Sequence, residues 1–174
     1  MFARATDDVG FGATVLLEQM MTVVPSGNAC RITHLRVAPD GQHIAAGYGR
    51  GSLVVLNMET AKKVVQVLAH GQWCVCALKW AGPATLFSGD ESGRVICTQL
   101  RGGVPAVTTV CSLGNPIVQL QWRAGNLLVS TTAAVHRVHI ATKACKQVCS
   151  VSIPDLMLAS HLWRCIIDGV AMCV

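Results

Sequence analysis

Residues 53–56 read Leu-Val-Val-Leu, apolar at every position. Side chains along a strand point to opposite faces in turn, so a sheet with one wet face would alternate apolar and polar residues. An unbroken apolar run of this length, with Gly51-Ser52 before it, predicts a strand covered on both faces. Short apolar runs recur through the chain: Ile32 to Val37, His43 to Ala46, Val64 to Leu68, Val75 to Trp80, Thr85 to Ser88, Val95 to Thr98, Ala106 to Val110, Ile117 to Trp122 and Leu127 to Ser130. Their residues are β-branched and aliphatic, which suits strands, and no segment before residue 150 has a helical period. Turn chemistry separates them. Pro39-Asp40-Gly41 pairs a residue of fixed φ with one that tolerates positive φ, and Gly82-Pro83 and Gly125-Asn126 stand in comparable places.

The runs repeat. Gly47 and Gly89, Gly51 and Gly93, Leu78 and Leu120, and Trp80 and Trp122 are each 42 residues apart. The same step relates Ile44, Leu86 and Leu128, and also Ala46, Ser88 and Ser130. About four antiparallel strands in a repeat of this length predict a propeller blade, a small sheet that must stack on neighbours to bury both faces. The expected fold is all-β, a propeller with about three four-stranded blades visible. The predicted units are an amino-terminal extension over 1–31, blades over 32–74 and 75–116, a degenerate blade over 117–150, and an off-pattern tail over 151–174. Thr14 to Val24 could add one strand of a closing blade, and a short helix could follow Pro154. Propellers close with four to eight blades, so the chain reads as a partial propeller or a fragment of a longer one.

The first two units resemble WD repeats. Val37-Ala38-Pro39-Asp40-Gly41 fits the first turn of that pattern, and Ala69-His70 stands where Gly-His would. Leu56-Asn57 and Thr98-Gln99 replace the Trp-Asp pair, and the third unit has Ile140-Ala141 there. Leu86-Phe87-Ser88-Gly89-Asp90-Glu91-Ser92-Gly93-Arg94-Val95, then Ile117 to Trp122, then Asn126 to Thr131, resemble a narrower group. This is the amino-terminal propeller of the family of the Hermansky–Pudlak syndrome type-five protein and the tectonin-propeller protein of autophagy. That resemblance implies a non-catalytic scaffold in vesicle trafficking, lysosome-related organelle biogenesis or autophagy, held near endolysosomal membranes through a complex. The alternative is a generic WD-repeat adaptor or substrate receptor, in ubiquitin ligation or with RNA. The WD pattern also implies a buried network joining His70 to an aspartate just before the hairpin glycine. Arg50 and Ser92 hold those positions, so the network is expected to be incomplete and His70 to be only a turn residue.

Composition narrows the rest. Apolar residues make up 52% of the 174, and only 13% are charged, which excludes a disordered chain. The net charge of +5 is scattered, without a basic run interleaved with aromatics, so no nucleic-acid partner is expected. Nine cysteines, several inside apolar runs, read as buried thiols in a reducing, cytoplasmic setting. Cys74 and Cys76 would share one strand face, and Cys145 and Cys149 are four apart. Neither pair has the second knuckle of a zinc site. The apolar stretches 13–24 and 156–174 carry charges, so neither a signal peptide nor a membrane span is expected.

No enzyme is expected, and no catalytic, cofactor or metal residues. Gly47-Tyr48-Gly49-Arg50-Gly51 leads into a strand rather than the helix a phosphate loop needs. His34, His43, His136, His139 and His161 form no motif with an acid and a nucleophile. Asp90 should accept backbone hydrogen bonds in its turn while Glu91 faces water. Trp80 and Trp122 recur at the repeat step and read as core. Trp73 reads as surface, and partner proteins are expected at the loops near Gly71–Trp73 and Gly102–Pro105.

Overall fold

The computed structural model describes residues 31–101 and 104–150. They form three four-stranded antiparallel sheets, consecutive in sequence. The first holds β1 (Ile32–Val37), β2 (His43–Tyr48), β3 (Leu53–Asn57) and β4 (Lys63–Val67). The second holds β5 (Val75–Gly82), β6 (Thr85–Asp90), β7 (Arg94–Gln99) and β8 (Ala106–Ser112). The third holds β9 (Ile117–Arg123), β10 (Asn126–Thr131), β11 (Ala134–His139) and β12 (Ala144–Ser150). Strands in each sheet lie side by side in chain order. The first strands, β1, β5 and β9, meet in succession, so the sheets fan out from that line as blades do. The last strands, β4, β8 and β12, are mostly exposed along the rim. Among the described residues no helix is long and apolar enough to cross a membrane. The expected strand over Thr14 to Val24 and the expected helix after Pro154 lie outside the described residues.

Two apolar seams hold the blades together. Ala45, Leu53 and Val55 of the first sheet pack on Val75, Leu78 and Leu86 of the second. Phe87, Val95 and Cys97 pack in turn on Ile117, Leu120 and Leu127 of the third. Each large side chain fully buried there contributes roughly 1.5–3 kcal/mol, more than a typical net hydrogen bond of about 1 kcal/mol. The seams therefore dominate. Trp80 and Trp122 flank them as expected. The Trp80 indole N–H donates to the Arg36 carbonyl at 3.0 Å, and the Trp122 ring lies 5.4 Å from Phe87.

The 42-residue glycine step has a packing cause. A Cβ on Gly47 would lie 2.6 Å from Val75 Cγ1, and one on Gly89 would lie 2.6 Å from Ile117 Cγ2. Each glycine lets the first residue of the next sheet press against the backbone.

The third sheet is four-stranded like the other two, as expected, with β11 and β12 completing it. Its register departs from the 42-residue step. Trp80 pairs with Leu86, whereas Trp122 pairs with Leu127, because β5 bulges between Trp80 and Gly82 and β9 does not. Leu127 is thus the counterpart of Leu86, Val129 of Ser88 and Thr131 of Asp90. A slip of one residue moves every side chain to the opposite face, so Leu128 and Ser130 occupy different surroundings from Leu86 and Ser88.

Candidate functional site

The β6–β7 hairpin carries the two adjacent acids. Ser88 and Asp90, two apart in β6, point to one face, and both are fully buried. His70, in the connection from β4 to β5, meets them there and is itself fully buried. Its Nδ1 lies 2.7 Å from Asp90 Oδ2, and its Nε2 lies 2.7 Å from Ser88 Oγ. Asp90 Oδ1 accepts the backbone N–H groups of Ser92 at 2.9 Å and Arg94 at 3.0 Å, and the Ser92 hydroxyl at 2.6 Å. The Arg94 guanidinium closes the circuit. Its Nε donates to Asp90 Oδ2 at 3.2 Å, and its Nη2 donates to the His70 carbonyl at 2.6 Å.

Protonation follows from this geometry. Burial lowers the pKa of His70 below 6.5, and Asp90 only partly opposes it, so the ring is neutral at pH 7. Burial alone would raise the pKa of Asp90, but hydrogen bonds from Ser92, His70 and the Arg94 N–H outweigh it and hold the carboxyl below 3.8. A carboxylate only accepts, so His70 Nδ1–H donates to Asp90, and Nε2 accepts the Ser88 hydroxyl. The order acid, imidazole, hydroxyl is that of a hydrolase triad. Here all three side chains are sealed from solvent, so no substrate reaches the Ser88 oxygen. What the arrangement does is lock the β4–β5 connection to the next sheet.

His70 is therefore more than a turn residue, and the network that was expected to be incomplete is closed. The acid is Asp90, three positions ahead of the hairpin glycine Gly93, rather than beside it. Arg50 is exposed and Ser92 serves as a donor to Asp90. Ser88 and Asp90 at period two, in a hairpin ending in glycine, were the available signal. The Asp90 turn contacts and the exposure of Glu91 match the sequence reading. At the next seam Leu113 replaces His70, and the Leu113 N–H donates to Gly93 just as the His70 N–H donates to Gly51. There Leu113 and Val129 join the same apolar cluster.

The lock fixes a surface. Beyond the buried His70, the Trp73 N–H donates to the His70 carbonyl at 3.2 Å, while the Trp73 side chain is 51% exposed. Leu68, at the other end of the connection, is 65% exposed. The second expected loop is elsewhere. The Leu100 N–H donates to Ala84, which places that connection at the opposite end of the sheets. Val104 is 78% exposed there, and residues 102 and 103 lie outside the described residues.

The other candidates stay apart. His43 bonds Asp40, His139 bonds Thr142, and His161 lies outside the described residues. Gly47–Gly51 runs from the end of β2 into the turn before β3, a hairpin as expected. Cys145 Sγ lies 4.0 Å from His136 Nδ1, whereas Cys74, Cys76 and Glu91 bring their sulfur and oxygen atoms within 4.8 Å of one another.

The family model of the anaphase-promoting complex subunit 4 WD40 domain matches residues 15–82. Among solved structures, the β-propeller domain of Cps50 (Swd1) from Myceliophteria thermophila is similar, with 16% identity and a TM-score of 0.58 over 74% of this chain and 41% of that one. The computationally designed protein Ika4 shares 16% identity with a TM-score of 0.59, covering 73% of this chain and 76% of Ika4. The designed protein Ika8 matches at 16% identity and a TM-score of 0.58, over 73% of this chain and 38% of its own. The chain thus spans about two fifths of the Cps50 propeller domain. No curated protein matches the sequence. The fold is that of a WD-repeat β-propeller, and the described residues make three of its blades.

Proposed function

We propose that this stretch of WD-repeat propeller is a non-catalytic protein-interaction scaffold, and that the β4–β5 connection is a contact surface. The observation that carries the reading is Trp73. It is half exposed on a backbone pinned by the His70–Asp90–Arg94 network. Interface hot spots are enriched in tryptophan, and a pre-ordered loop loses little entropy on binding. The finer reading is a subunit of a trafficking, organelle-biogenesis or autophagy complex, cytoplasmic and peripheral to endolysosomal membranes. The resemblance of the Leu86–Val95 hairpin and the strands after it supports that reading. The free thiols among the described residues suit a reducing compartment.

A second reading, adaptor in another multi-subunit assembly such as a ubiquitin ligase, has the matched anaphase-promoting complex model in its favour. Affinity capture of the full-length protein with identification of its stoichiometric partners separates them. Trafficking or autophagy subunits support the first, ligase subunits the second, and the absence of any stoichiometric partner argues against a scaffold.

A further inference from the structure

We propose that Cys74, Cys76 and Glu91 form a binding site for a thiophilic divalent cation, zinc(II) foremost. The cysteine pair alone was set aside in the sequence for want of further ligands; the fold supplies one from the next hairpin. The Glu91 N–H donates to the Cys74 carbonyl at 3.1 Å, which fixes the hairpin against the start of β5. The β5 register skips Cys76 between Val75 and Ala77, a bulge that re-aims its side chain. The Cys76 thiol consequently turns back to the Cys74 carbonyl, 3.3 Å away.

The three ligand atoms lie within 4.8 Å of one another. Two thiolates of a tetrahedral zinc site, each about 2.3 Å from the metal, are about 3.7 Å apart. Small rotamer changes close that gap. Both cysteines are half-buried and Glu91 is exposed, which leaves a fourth position open to solvent or to a ligand from a partner.

Binding must first overcome a cost in charge. Burial, then the neighbouring Cys74 and Glu91, push the Cys76 thiol up to about 12. Burial and Glu91 also raise Cys74. A cation seated between the two sulfurs offsets that cost, because its charge favours the thiolates. Binding converts both thiols to thiolates and releases two protons to solvent. The inference is independent of the scaffold reading.

The test is titration of the reduced 174-residue chain with cobalt(II), followed by zinc(II). The expected result is a near-ultraviolet thiolate-to-cobalt charge-transfer band that saturates at one equivalent and is displaced by zinc. Cys74→Ser combined with Cys76→Ser removes the band, and Cys145→Ser leaves it unchanged. Glu91→Gln, at an exposed position that folding does not depend on, weakens cobalt binding by roughly 10-fold or more, at least the loss seen when an outer-shell partner is removed. No band in the parent chain, a band that survives the double variant, or cobalt affinity unaltered by Glu91→Gln would overturn the proposal.

Discussion

Asp90 and Glu91 are neighbours with opposite fates. Asp90 is the acceptor for one imidazole, one hydroxyl, one guanidinium and two backbone N–H groups, whereas Glu91 faces solvent. Asp90→Ala leaves buried donors unanswered and is expected to cost about 3–5 kcal/mol in chemical denaturation, the range for breaking a buried pair. Glu91→Ala should change stability by less than about 0.5 kcal/mol, as exposed positions do. Equal effects would sink the assignment. The same residues set the acid response. Both His70 and Asp90 have folded pKa values below their unfolded ones, so the unfolded chain binds more protons in acid. Stability is complete above pH 6.5 and falls as pH drops from there toward the folded value of His70. A second fall begins below 3.8 with Asp90. His34 and His136, also lowered by burial, add to the first window. His70→Gln should flatten that window in denaturation curves taken across pH, and an unchanged slope would contradict the neutral, buried His70. The turn role of Asp90 was legible because it is local, a side chain bonding N–H groups two and four residues on. Its bond to His70 spans 20 residues and depends on how one sheet docks on the next, which a one-dimensional pattern does not carry.

At the scale of the strand, the repeat was legible wherever the packing demands one residue type. Gly47 and Gly89 recur because Val75 and Ile117 press on them. Gly89→Ala is expected to cost about 1–3 kcal/mol by overpacking. Combined with Ile117→Ala, it should cost less than the sum of the single changes by roughly 0.5–3 kcal/mol, the coupling of residues in contact. Gly82, where a Cβ would meet nothing within 4 Å, should accept alanine without loss. A strictly additive cycle would mean the seam does not close on Gly89. The third sheet was misread because the 42-residue step hides the bulge in β5. The step matched residue types, while the register shows that Leu127, Val129 and Thr131 carry the inward face. The hairpin motif of that sheet differs as well. Its hairpin uses Thr131, whose hydroxyl accepts the N–H groups of Ala133 and Ala134, in place of the glycines of the other two.

Across the molecule, unbroken apolar strands at a fixed period announced a propeller, because no segment before residue 150 has a helical period to cover both faces and stacked sheets must do so. The lock between the first two blades is polar and the next seam is apolar, so among the described residues the β4–β5 connection is the one built around a buried histidine. On the proposed scaffold function, this lock presents Trp73 to a partner. The most direct measurement is the affinity of the partner identified for the full-length protein, compared between the parent and Trp73→Ala at equal thermal stability. The expected result is an unshifted melting temperature and a loss of more than about 2 kcal/mol in binding, the size of a hot-spot truncation. Unchanged affinity with an unshifted melting temperature would show that the surface lies elsewhere.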